Sequence, residues 1–292
     1  MYSAKNKFVE LIMLMRSEKE TFSIKGFSQR VCLTKSLLLL AVVVILSSSS
    51  CVVTKSSSHE GNQNNKTSEE LTKLVRQGDI TGVKRLLSSG ISPNAEDKVG
   101  TTPLKIATWK GDTEMMEVLL IAGADPNLPV KGGSSPLQIA VERGQEKSVS
   151  LLLHHKASVH MRYISEWSIL HFAVAGQEKT VGIVKALLDH GADINARDDG
   201  GRTPLYDVIG RDLEMTKLLL DRGADVNLAD NKGWTPLMEA VGTGNHDLIK
   251  LMIDKGADVN AKDRDGWTAL KQALVFGCED SIQVLEKAGA VQ

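Results

Sequence analysis

This chain of 292 residues lacks most of what covalent chemistry needs. It has three cysteines, Cys32, Cys51 and Cys278, too few for a disulfide framework and at spacings that match no zinc or redox pattern. There is no H-E-x-x-H, no glycine-rich phosphate loop and no G-x-S-x-G, so the common metalloprotease, nucleotide and hydrolase signatures are absent. The paired His154 and His155 point in different directions if helical, and His59 has no ligand-spaced companion. No cofactor, no metal and no small-molecule substrate is expected. Excess positive charge is also missing. Residues 1–50 hold seven Lys or Arg against three Asp or Glu, leaving 28 basic and 33 acidic residues in the remainder. An acidic body is not built to hold nucleic acid, which calls for a basic face.

Long apolar runs are missing too. The longest is Leu37 to Leu46, ten residues preceded by Arg30 and Lys35. As a helix it rises about 15 Å, half of a roughly 30 Å hydrocarbon core, which suits a signal-peptide core better than a span. Four serines and Cys51 follow, an order similar to the lipobox of bacterial lipoproteins. That resemblance implies lipidation of Cys51 and removal of residues 1–50. The chain departs from the pattern at Ser48, where leucine is usual, and the leader is long enough that Met13 or Met15 is a competing start. Ordinary secretion and an uncleaved anchor are the alternatives. Residues 51–67, largely polar and aperiodic, read as a tether whose fifteen residues from Val52 to Lys66 reach roughly 20 Å.

Beyond the tether the chain repeats itself. Thr102-Pro103-Leu104 returns at Ser135, Ser168, Thr203, Thr235 and Thr268, with middle residues spaced by 33, 33, 35, 32 and 33. A second phrase keeps step: Gly123-Ala124, Lys156-Ala157, Gly191-Ala192, Gly223-Ala224, Gly256-Ala257 and Gly289-Ala290. The hydroxyl residues are placed to cap a helix start, and the proline that follows loses nothing in a first turn. Ala107, Ala140, Ala173, Ala240 and Ala273 keep that helix thin. Leu119-Leu120, Leu152-Leu153, Leu187-Leu188 and Leu218-Leu219 give a second helix its apolar stripe. Gly123, Gly191, Gly223 and Gly256 end that helix in the left-handed region. Asp193, Asp225 and Asp258, with Asn195, Asn227 and Asn260, then brace turns. Carboxylates recurring at this period are turn braces, not a catalytic pair.

On these two phrases residues 68–292 resemble the ankyrin-repeat family. The resemblance implies an all-α repeat solenoid of about seven stacked helix pairs with β-turn or hairpin fingers. It implies a capping unit over 68–97, internal units over about 98–263 and a closing unit over 264–292. Thr67 and Glu70 have the spacing of a capping box for the first unit. The unit near 156–191 is the poorest match. Lys156 stands for the terminating Gly, His160 for the bracing Asn, Glu166 for the turn Gly and Ile169 for the Pro, and two residues are inserted. Lys156 in a left-handed site costs on the order of 1 kcal/mol, so this junction is expected to open first.

The family resemblance further implies a protein-binding module, not an enzyme, whose partner lies on the concave face made by finger tips and first helices. All four tryptophans align there: Trp109 on a first helix, and Trp167, Trp234 and Trp267 immediately before helix-start phrases. Tryptophan anchors interfaces because it buries much area with few torsions. Glu142, Arg143, Tyr163 and Phe276 share the expected face. His171, after Ser168-Ile169-Leu170, falls where the family often has a structural histidine. The expected setting is the cell envelope, the domain tethered by lipid on Cys51 and facing the periplasm or exterior. A secreted effector or toxin-neutralising factor without lipid is the alternative.

Overall fold

Fourteen α-helices in seven consecutive pairs make up the described region of the chain, with no strand among the described residues. The structure is a computed structural model that describes residues 62–128, 134–176 and 180–291, with backbone alone for 62–66. The apolar run Leu37 to Leu46 and Cys51 lie outside the described residues.

The pairs are α1 (Asn62–Gln77) with α2 (Ile80–Ser88), α3 (Pro103–Lys110) with α4 (Thr113–Ile121), and α5 (Pro136–Glu142) with α6 (Glu146–His154). They continue as α7 (Ile169–Ala175) with α8 (Val181–Asp189), and α9 (Pro204–Val208) with α10 (Leu213–Asp221). The last two are α11 (Pro236–Thr243) with α12 (His246–Asp254), and α13 (Ala269–Phe276) with α14 (Glu279–Lys287). Each first helix packs on the next first helix from α1 through to α13, so a core one unit wide runs the length of the stack. Such a stack grows along one axis by adding nearest-neighbour interfaces.

Local chemistry explains the units. Thr102, Ser135, Thr235 and Thr268 each accept a hydrogen bond from the amide three residues on, at 3.1–3.3 Å. Ala107, Ala140, Ala173, Ala240 and Ala273 are fully buried where neighbouring first helices approach. Leu119, Leu152, Leu187 and Leu219 are fully buried as well, filling the space between the two helix layers. Gly123, Gly191, Gly223 and Gly256 adopt φ of 84–91°. A Cβ built on any of these four would touch nothing within 4 Å, so glycine is favoured there by backbone conformation alone.

Two features of the first unit differ from expectation. Helix α1 begins at Asn62, inside the stretch expected to be tether. Thr67 therefore lies within the helix, and the Thr67–Glu70 spacing is not a helix start.

An asparagine clasp joins successive units. Asn94 donates to the Gly123 carbonyl at 3.3 Å and accepts from the Asp125 amide at 2.8 Å. Asn127 does the same for the Lys156 carbonyl and Ser158 amide, Asn227 for Gly256 and Asp258, and Asn260 for Gly289 and Val291. Asn195 keeps the accepting half, toward Asp225. His160 stands where the clasp would reach Gly191 and Asp193, and it makes neither bond. A cleft of about 110 Å³ opens at this joint, lined by Val159, His160, Ile169, Ala192 and Asp193 among others. The same unit carries every positive-φ non-glycine residue among those described: Lys156 (64°), Ser165 (61°) and Glu166 (57°).

Candidate protein-binding surface

The fingers between units are braced by their own carboxylates. Asp97, Asp198, Asp230 and Asp263 each accept from the backbone amide four residues on, at 2.8–3.0 Å. Asp193, Asp225 and Asp258 brace the preceding turn through the amide two residues on. Each of these carboxylates has one oxygen taken by its own backbone. Tyr163 occupies the place of the finger aspartate in the irregular unit. Its hydroxyl lies 2.9 Å from that of Ser135, and its ring meets Phe172 edge-on at 5.2 Å. Burial holds its phenol above the usual pKa, with the Ser135 hydrogen bond opposing and the Glu142 charge adding to it. Ile164, next along, is 87% exposed at the finger tip.

In two units the fourth residue of the helix-start phrase ties its unit to the following finger. The Ser168 amide donates to His171 Nδ1 at 3.1 Å, which leaves Nε2 carrying the proton, 3.2 Å from the Arg202 carbonyl. Burial lowers the His171 pKa and keeps the ring neutral, despite the Arg202 carbonyl and Asp198 pulling it upward. The histidine is the structural link expected of it. In the next unit Tyr206 has the equivalent role: its hydroxyl donates to the Trp234 and Leu228 carbonyls and accepts from the Asp230 amide.

The four tryptophans separate into two kinds. Trp109, on α3, is 59% exposed, with the Arg143 guanidinium carbon 4.5 Å from its ring centroid. The other three are half-buried. Trp167 stacks on His171 at 5.8 Å and meets Phe172 edge-on at 5.1 Å. Trp234 packs on the core and its Nε1 donates to Glu239 at 3.1 Å. The ammonium of Lys271 lies 5.0 Å from the Trp267 ring centroid. Phe276 is exposed at the end of α13, beside exposed Val275 and Leu274. Glu142 and Arg143 are exposed at the end of α5, and Gln138 donates to Glu142 at 2.7 Å. Desolvation by the helix surface raises the Glu142 pKa, and that hydrogen bond offsets some of the rise.

One residue on α9 escaped the sequence reading. Asp207 has an Oδ2 that is out of contact with solvent and without a hydrogen-bond partner. Its pKa is pushed up to about 7, first by burial, then by the Asp198 carboxylate, against the pull of Arg202 and Arg211. The signal was the interval of 32, one residue short, between Pro204 and Pro236. The missing residue cuts α9 to five residues and draws its terminating Gly210 closer. The first turn tightens as well. The Tyr206 amide bonds the Thr203 carbonyl at 2.9 Å, and the Thr203 hydroxyl is left buried without a partner.

Among the described residues there is no cluster of His, Cys, Asp and Glu fit to hold a metal. His154 and His155 meet edge-on with centroids 5.3 Å apart, and Cys278 is a lone half-buried thiol. What the geometry defines is a helical-repeat scaffold whose fingers and first helices carry aromatic side chains. A family profile of ankyrin repeats matches over residues 71–163, 137–230 and 207–291, and the chain belongs to the ankyrin-repeat family. The ankyrin repeat domain of Bcl-3, described as a unique member of the IkappaB protein family, is similar at 28% identity. That match has a TM-score of 0.68 and covers 74% of this chain and 97% of that one. An ankyrin repeat domain from Acinetobacter baumannii AYE is similar at 27% identity and TM-score 0.61, covering 65% and 98%. No curated protein sequence matches.

Proposed function

We propose that this protein binds another protein through the concave face formed by its fingers and first helices, while a lipid on Cys51 holds it at a membrane of the bacterial envelope. The observation that carries the binding claim is Trp109, a large ring left exposed on a first helix and capped by a cation. In a stack whose other tryptophans are half-buried, that ring is the strongest anchor the inner face offers. The anchoring claim rests on the apolar run Leu37 to Leu46, the serines after it and Cys51. Partner binding is tested by placing a photo-crosslinking residue at Val99, an exposed finger position, and at Lys185, an exposed second-helix position. Protein adducts from Val99 and none from Lys185 are expected. Adducts from Lys185 alone, or from neither, overturn the reading. Anchoring is tested by fatty-acid labelling of the full chain beside Cys51→Ser. Label in the membrane fraction that the substitution abolishes is the expected outcome. Ser48, where a lipobox usually has leucine, favours a second reading: a secreted form without lipid, found unlabelled in the medium.

A further inference from the structure

The inner face is not uniform along the stack, and its Trp109 end has a definite charge chemistry. Lys105 lies one turn before Trp109 on α3, so both side chains share one helix face. Arg143, from the end of the next first helix, covers the Trp109 ring at 4.5 Å. A guanidinium held over an aromatic ring keeps its N–H edges directed outward in the plane, ready for a carboxylate. Neither Lys105 nor Arg143 has a carboxylate within ion-pair distance among the described residues. Nor does either side chain make a hydrogen bond there. Some cations on the fingers and outer helices are paired: Arg76 meets Asp97 at 2.6 Å, Arg222 meets Asp189 at 2.9 Å and Lys255 meets Asp221 at 2.6 Å. The nearest acidic residue in sequence to Arg143, Glu142, is engaged by Gln138. Lys105 is half-buried, and its pKa is lowered by that burial with no anion to offset it. A charge kept in such a setting gains from an incoming anion more than a solvated one does.

We propose that the Trp109 end of the concave face receives an acidic segment of a partner protein, whose carboxylates pair with Lys105 and Arg143 while an apolar side chain lies on the exposed area of the Trp109 ring. The inference rests on the reading of the concave face as the binding surface. A peptide fits better than a nucleic acid, because the chain beyond residue 50 carries 28 basic against 33 acidic residues and offers no phosphate-tracking stripe.

The test uses the full-length chain and a fluorescein-labelled short peptide of Glu, Asp, Leu and Phe, followed by anisotropy, with the Lys-for-acid counterpart as control. The acidic peptide is expected to bind, to lose affinity about tenfold in Arg143→Glu and in Trp109→Ala, and to weaken as salt rises. Arg143 and Trp109 are exposed, so helical circular dichroism is expected to match the parent. Lys105→Gln gives a variant that changes charge with little change in bulk. Equal binding of the basic peptide, absence of acidic-peptide binding, or full affinity in Arg143→Glu and Lys105→Gln overturns the proposal. Self-association that Arg143→Glu abolishes would assign the acidic segment to a second copy, and overturns it too. The Val99 crosslink separates the two readings. Adducts that persist undiminished in Arg143→Glu sink the charge inference and leave concave-face binding standing, whereas no adducts in the parent sink both.

Discussion

Restoring the missing clasp is the sharpest check on how this stack is held together. Lys156 sits at φ 64°, where the equivalent Gly123, Gly191, Gly223 and Gly256 have open space around a would-be Cβ. The penalty at Lys156 is therefore backbone strain without a clash, and Lys156→Gly is expected to stabilise by about 1 kcal/mol. His160→Asn would rebuild a donor to the Gly191 carbonyl and an acceptor for the Asp193 amide. Two partly exposed hydrogen bonds contribute about 1 kcal/mol together, at the lower end of the usual range. The double variant then gains about 2 kcal/mol, or about thirtyfold in the opening equilibrium of that joint. Native-state hydrogen exchange reads this directly. In the parent, the amides of α7 and α8 should exchange faster than those of α11 and α12. In the double variant that difference should close. If the parent protects all internal units equally, or if Lys156→Gly leaves exchange unchanged, the claim that this joint is the weak one fails.

Other consequences follow from single residues. Asp207 binds its proton more tightly folded, at about 7, than unfolded, at about 4. Stability should therefore fall as pH rises from about 4 to 7 and stay low above that. Asp207→Asn should flatten this stretch of the denaturation-versus-pH curve and raise stability at pH 8 by about 1–3 kcal/mol; a parent whose stability rises over that window refutes the assignment. Thr102→Ala should cost about 1 kcal/mol in urea denaturation because its cap bond is lost, whereas Thr203→Ala should be near neutral or stabilising because its buried hydroxyl already lacks a partner. Equal losses would show that the caps are not what the hydroxyls contribute. Lys255→Ala removes an exposed contact to Asp221 and should change stability by no more than about 0.5 kcal/mol; a larger loss would mean the outer-face ion pairs act as a network.

The sequence by itself determined the repeat. Thr-Pro-Leu phrases, thin alanine helices and left-handed glycines are local instructions, since a cap bond spans three residues and a φ angle belongs to one. That is why the helix pairs and the turn-bracing aspartates are legible in the string of residues, and why the strain at Lys156 can be read there too. The start of α1 is not legible, because Asn62 to Lys66 has no apolar period to announce a helix. Everything that depends on the next unit is decided by the tertiary structure. Asn195, Asn227 and Asn260 read as turn residues in sequence, and only packing shows that each reaches across to its neighbour, that Asn94 and Asn127 do the same and that His160 does not. The same holds for the tryptophans: all four fall on the expected face, but Trp109 is open while Trp167, Trp234 and Trp267 are partly taken up by His171, the core and Lys271. Asp207 is the plainest case. One missing residue is a small change in a string of letters, but in a stack it shortens a helix between two fixed neighbours and leaves one carboxylate oxygen of Asp207 out of contact with water.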